Sequence, residues 1–390
     1  MLSEHISVDL MLFFILYGVT GVVPLIAALY LLLRRGNAFA PDVAPPLLLR
    51  RWAALFFVAN ALGHVLWMLF YFHSGDIHSV EDLLQTTGYV PIVLFDCLTM
   101  MTTIAGTLLA MLQDRKRPVW PVFAALVPYV ILGGVIMVNP RKAILLLSFA
   151  YVLLLFALFS IYMIYSVGQY RRWLRDNYAD LERKEVWQTH VVVLLFMLLF
   201  IIYTLVDVDS RTLIYFLHIF ELMFFLFLLW RVETLPQLDS ISSEELNIVS
   251  PPESNQAQED APTPTQQPIA RPVNINLQEM DRLLAKHCVE AQLYLQHDLT
   301  LRQLAQAIGT NRSYLGQYFS RQGITYNTYI NNLRINHFVS RYQETAATGQ
   351  PIIARQLASE SGFRSYSTFS LAFKQRMGQS VTAWMQVPEE

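Results

Sequence analysis

ARQLASESGFRSYSTFSLAFKQRMG, residues 354–378, decides how this chain is read. A short segment of helical apolar period ends at Gly362, a tight turn follows, and a second segment of the same period begins. Helix, turn of three or four residues, and helix is the geometry that sets the second helix into the major groove of DNA. The pattern also stands upstream in LRQLAQAIGTNRSYLGQYFSRQG, residues 301–323, where Ala305 and Gly309 answer to Ala358 and Gly362. Thr300 is placed to cap the first of these helices, with Gln303 three residues on, and Asn311 or Thr310 to cap the next. Gly309 ends the first helix, where a turn of positive φ favours glycine. A long amphipathic segment, TYINNLRINHFVSRYQE, joins the two units. One such unit is a weak sign, whereas two with the same internal spacing are a strong one.

The rest of the chain is of another kind. It is 390 residues long, 54% hydrophobic and 15% charged, outside the usual balance of a soluble protein, and the apolar excess lies in the first 230 residues. Spanning a bilayer takes about 20 mainly apolar residues. Seven stretches meet this, near 10–33, 52–72, 89–112, 119–138, 143–167, 189–206 and 212–230. The fourth, with Pro121, Pro128, Gly133 and Gly134, is the least regular. The opening MLSEHISVDL has no basic n-region and its apolar run is too long for a signal peptide, so an uncleaved membrane helix is expected.

Lys and Arg are retained on the cytoplasmic side, so their distribution orients the spans. The first, third and fifth loops carry twelve, among them Arg34, Arg50, Arg115, Arg117, Arg171 and Arg183. The opposite side carries three, Arg141, Lys142 and Arg211. The N-terminus is therefore expected outside, and seven crossings deliver everything after Arg231 to the cytoplasm. In the fifth loop Arg171, Arg172 and Trp173 are expected to meet anionic headgroups.

Ionisable groups deep in a bilayer are costly, and a site is their default explanation. Glu221 falls near the centre of the seventh span. At a rise of 1.5 Å per residue, His218 and His64 lie about 4 to 5 Å outward and Asp96 about 7 to 8 Å outward. These four are read either as a cluster that senses a ligand, proton or cation, or as structural pairs that fix helix packing. No short-range ligand spacing supports a metal, and neither metal nor other cofactor is expected. The two cysteines, Cys97 and Cys288, make no disulfide framework and are read as ordinary thiols.

Three domains result: a seven-span bundle over 1–232, an acidic Pro/Gln-rich linker over 233–272, and an all-helical reader over 273–390. Residues 232–270 carry seven acids and no Lys or Arg. Low hydrophobicity of this kind does not offset ordering entropy, so disorder is expected, with a root-mean-square reach on the order of 35 Å. Residues 273–390 hold eleven Lys/Arg against eight Asp/Glu, a modest basic excess that permits DNA binding.

The reader resembles the C-terminal DNA-binding domain of the AraC/XylS family of bacterial transcription regulators over about 276–387. The sharpest match is GFRSYSTFSLAFKQRMGQSVTAW, residues 362–384, through Gly362, Phe363, Ser367, Phe369, Phe373, Lys374 and Gly378. The sequence departs from the family pattern at Val381 and Trp384, and at the bulky His337 and Phe338. The resemblance implies two recognition helices entering successive major grooves. It places Arg312, Ser313, Gly316 and Gln317 of the first, and Tyr366, Ser367, Ser370 and Leu371 of the second, as base-contact candidates. Arg321, Lys374 and Arg376 become phosphate candidates, while Leu315, Phe319, Phe369 and Phe373 belong to the core.

The expected function is a membrane-anchored one-component transcription regulator of the bacterial cytoplasmic membrane. Its partners would be double-stranded DNA, the lipid bilayer, a second copy on a bipartite operator, and a stimulus in or beyond the membrane. A transporter whose tail autoregulates its own expression is the alternative, and proteolytic release of the tail a third. No Ser/His/Asp set, His-Glu-x-x-His, phosphate-cradling Gly loop or His-kinase arrangement is present, so no enzyme is expected.

Overall fold

A computed structural model describes residues 8–34, 36–74, 80–86, 88–205, 211–238, 277–349 and 351–386. The fold is all-α, and among the described residues the β pairing is limited to an isolated bridge, Tyr178 with Thr300. Packing divides the chain into two compact units, Met1–Tyr170 with Arg183–Ile241, and Arg171–Glu182 with Ser242–Glu390.

The first unit is built from α1 (Val8–Leu33), α2 (Leu47–His73), α3 (Val80–Gln85), α4 (Tyr89–Met111), α5 (Trp120–Val138), α6 (Lys142–Asn177, to Tyr170), α7 (Trp187–Leu205) and α8 (Arg211–Thr234). Among the described residues, six helices are long and apolar enough to cross a membrane: α1, α2, α4, α5, α6 and α8. The seventh expected span corresponds to α7, in which Trp187–Leu199 is a further apolar stretch. Apolar side chains such as Leu33, Leu47, Phe72, Val138 and Ile164 point outward from this unit, as a lipid-facing surface requires.

Small residues let the helices close on one another. The Trp52 indole of α2 lies against Gly106 of α4, Leu94 of α4 lies against Gly133 of α5, and the Asp96 carboxylate lies against Gly63 of α2. At Pro128, inside α5, a backbone donor is missing. Nearby, Tyr151 of α6 donates to the Ala125 carbonyl at 2.7 Å and ties the two helices together.

The first, third and fifth loops meet the end of α8. Glu233, 1% exposed, accepts from Tyr30 Oη at 3.0 Å and faces Arg50 Nε at 3.5 Å, and its carbonyl accepts from Asn37 Nδ2 at 2.6 Å. Gln113 pairs with the Pro236 carbonyl and the Leu238 amide at 3.0 and 2.8 Å. Arg231 donates to Thr189 and to the carbonyls of Arg183 and Glu185. The first six residues of the expected linker, Glu233 to Leu238, are thus held by the bundle, and 239–272 lie outside the described residues.

The described part of the second unit contains two apolar clusters strung on one helix. Past α9 (Leu277–Leu284) come α10 (Leu301–Ala307) and α11 (Arg312–Arg321), then the long α12 (Tyr326–Ala347), α13 (Ala354–Glu360), α14 (Tyr366–Met377) and α15 (Val381–Met385). Leu304, Ala305, Leu315, Phe319 and Ile330 close the first cluster, and Ile335, Phe338, Ala358, Phe369 and Phe373 the second. The bulky Phe338 is used: its ring stacks among Phe369, Phe373 and Trp384 at 4.5 to 6.5 Å. Trp384, which departs from the family pattern, also reaches Tyr342 at 4.9 Å. Burial pushes the Cys288 thiol up to about 12, so it acts as a small apolar side chain in the first cluster.

Candidate nucleic-acid interface and buried polar cluster

The helix α10 and both recognition helices start where a side chain replaces the missing backbone partner. The capping box at Thr300 is complete, with Gln303 N reaching Thr300 Oγ1 at 3.2 Å and Thr300 N reaching Gln303 Oε1 at 2.8 Å. Asn311 caps α11 through Tyr314 N at 2.7 Å, and Ser365 caps α14 through Thr368 N at 3.3 Å. The turns between the helices use Gly309 at φ 75° and Gly362 at φ 89°.

On α11, Ser313 and Gln317 are exposed, while Leu315 and Phe319 are buried. Gly316 is half-buried, with its Cα side facing Leu301 of α10. Arg312 is half-buried and engaged: its Nε donates to Asn177 Oδ1 at 2.7 Å and its guanidinium lies 6.0 Å from the centre of the Trp173 ring. On α14, Ser367 and Leu371 are exposed, Leu371 by 61%, and Ser370 is half-buried. Tyr366 leans on the second cluster, its ring 5.6 Å from that of Phe369.

Of the phosphate candidates, Arg321 and Lys374 are exposed at the ends of their helices. Arg376 is used as a strut, donating to the Asn332 carbonyl and, at 2.5 Å, to Asn336 Oδ1 of α12. Trp173, expected beside headgroups with Arg171 and Arg172, also has protein partners. The helix expected to end near 167 runs to Asn177, and Trp173 stands against Tyr178 at 5.7 Å and beneath Arg312.

Two residues that sequence reasoning passed over organise the reader. Arg334 of α12, 1% exposed, donates to the Tyr294 and Gln296 carbonyls at 2.8 and 2.5 Å and to that of His297 at 3.3 Å, with the Phe363 ring 5.7 Å away. Burial pulls its guanidinium down to about 10, which leaves it charged at neutral pH. Asn327 donates to the Tyr178 and Ala179 carbonyls at 3.3 and 2.6 Å. Amphipathic period marked α12 as a helix but gave no hint of which turn of it these two occupy.

The polar groups inside the first unit come together. His64 Nε2 lies 3.7 Å from Glu221 Oε2, and the His64 and His218 rings are 6.3 Å apart. Tyr17, which the sequence did not single out, sits between them at 5.0 and 5.6 Å, and its hydroxyl donates to the His64 carbonyl at 2.8 Å. Asp96 accepts from Trp67 Nε1 and lies against Gly63, one residue from His64. Among the described residues, no group of three or more His, Cys, Asp or Glu is arranged to hold a metal ion.

Residues 304–386 match the family model described as a helix-turn-helix domain, of the AraC type. No curated protein and no solved structure matches the chain.

Proposed function

We propose, from the premise that the C-terminal region is an AraC-type DNA-binding domain, that the chain is a membrane-anchored one-component transcription regulator. The observation that carries this reading is the union, in one polypeptide, of tandem helix-turn-helix units with six helices long and apolar enough to cross a bilayer. The N-terminus is outside, seven crossings are made, and the reader faces the cytoplasm. The twelve-to-three division of Lys and Arg supports this orientation, and so does the meeting of the three basic loops at the end of α8. Residues past Leu238 serve as the tether.

The bundle is the sensor, and the polar cluster of His64, His218, Glu221 and Asp96 is where a proton, cation or small polar ligand acts. Its support is the meeting of His64 with Glu221 and of both histidines with Tyr17, while Asp96 lies against Gly63 next to His64. A change in the bundle alters the pairing of readers on a bipartite operator, raising the local concentration of one reader beside another. Ser313 and Gln317 of α11, with Ser367 and Leu371 of α14, are the exposed groups offered to base edges, and Lys374 and Arg321 steady the phosphates.

The test uses the full chain in lipid nanodiscs with duplexes selected on it from a random pool. Protection is expected in two patches about one helical turn, roughly 34 Å, apart. Gln317→Ala should weaken the selected site by about 1 to 3 kcal/mol and relax preference at one position only. A carboxyl-terminal tag found outside the cell, or no protection at low salt, removes the reading.

A further inference from the structure

The second unit includes Arg171–Glu182, a segment that lies before the expected linker and about 100 positions from the reader's first described helix. Its attachment is specific. Ala179, fully buried, belongs to the same apolar cluster as Leu299, Leu301, Ile308 and Ile330. Tyr178 pairs with Thr300 as an antiparallel bridge, and Ala179 N donates to the Leu299 carbonyl at 3.3 Å. Asn327 holds the carbonyls of Tyr178 and Ala179 from the other side.

The same segment reaches the start of the first recognition helix. Asn177, 8% exposed, takes Arg312 Nε at 2.7 Å, and Trp173 lies beneath the guanidinium. The N-terminal residues of a recognition helix are the ones that meet base edges in the groove. The last turn of α6 therefore stands where a duplex would have to enter, and Arg312 has one partner or the other.

We propose that Arg171–Glu182 is an intramolecular clamp that masks the first helix-turn-helix, so that the reader binds DNA with both units only after the segment leaves. The inference rests on the DNA-binding reading above and names how that site is regulated. A reader clamped about 90% of the time binds about tenfold more weakly than an unclamped one, because only the competent fraction counts. A signal acting on α6 then needs only to shift this equilibrium.

The closing experiment keeps the full chain in lipid nanodiscs and reads its affinity for a duplex of roughly 30 base pairs, selected on the wild-type protein, long enough for two successive grooves. Asn177→Ala and Trp173→Ala should each tighten binding, and the pair of changes together by about tenfold. Unchanged or weaker binding by these variants overturns the clamp, weaker binding marking the segment as an added DNA contact instead. As a second arm, Tyr178→Cys with Thr300→Cys places two thiols across an antiparallel bridge, within disulfide range. The oxidised form should bind at least about tenfold more weakly than the same protein after reduction, a comparison in which loss of the Thr300 cap cancels. Failure to cross-link, or a cross-link without effect on affinity, also overturns the proposal. If wild type and variants alike select no duplex, the DNA-binding reading itself has failed and the clamp falls with it.

Discussion

Gly362→Ala is expected to lower the unfolding midpoint of the reader by more than about 12 °C, as followed by hydrogen exchange across 277–386 in the full chain. Two costs combine. Gly362 sits at φ 89°, where an L side chain is strained by about 1 to 3 kcal/mol. A Cβ there would also stand 2.8 Å from both the Cα and the carbonyl oxygen of Leu295 and 3.0 Å from Arg334 Nε. The first two are backbone atoms and have no rotamer by which to move aside. A total above about 3 kcal/mol follows, a large part of the 5 to 15 that a domain of this size possesses. Gly309 supplies the control: it occupies the matching turn of the first unit at φ 75°, but nothing lies within 4 Å of its added Cβ. Gly309→Ala should thus show the φ strain alone, about 1 to 2 kcal/mol. Equal effects at the two glycines would contradict the close approach of Gly362 to Leu295.

Arg334→Met should destabilise the reader by about 3 kcal/mol or more and abolish operator protection at 37 °C. The guanidinium is a fork whose donors satisfy three carbonyls from one turn, at Tyr294, Gln296 and His297, while its flat face lies over Phe363. Methionine fills much of the volume but leaves those carbonyls without their donor, each at about 1 to 3 kcal/mol, partly offset because no charge has to be buried. Lysine keeps the charge but lacks the fork, so Arg334→Lys should fall between wild type and the methionine variant. Because Arg334 stands on α12 between Ile330 of the first cluster and Ile335 of the second, its loss should loosen both units together. Hydrogen exchange that rises in only one of the two clusters would show that Arg334 does not join them.

The reader was legible where information is local. Thr300 with Gln303, Asn311, Gly309 and Gly362 announce helix starts and stops by chemistry acting within four residues, and each does in the fold what its type predicts. The apolar helices were legible because about 20 residues of one character leave few alternatives. What stayed hidden depends on partners remote in sequence. Nothing local announces that Arg376 donates to Asn332 and Asn336, or that the Arg312 guanidinium lies over the Trp173 ring. Arg312 itself was placed correctly at the start of α11, but its link to Asn177 spans 135 positions. Among the buried polar groups, charge and depth singled out His64, Asp96, His218 and Glu221, yet Tyr17, which touches both histidines, looked like any aromatic residue in an apolar run.

The length of α6 has a mechanical consequence. Its 36 residues make a rod of about 54 Å, and a hydrocarbon layer accounts for about 30 Å of it. With the apolar start of the rod crossing a bilayer as proposed, roughly 24 Å of stiff overhang is left. So placed, the helix carries the chain clear of the hydrocarbon before Asn177 is reached.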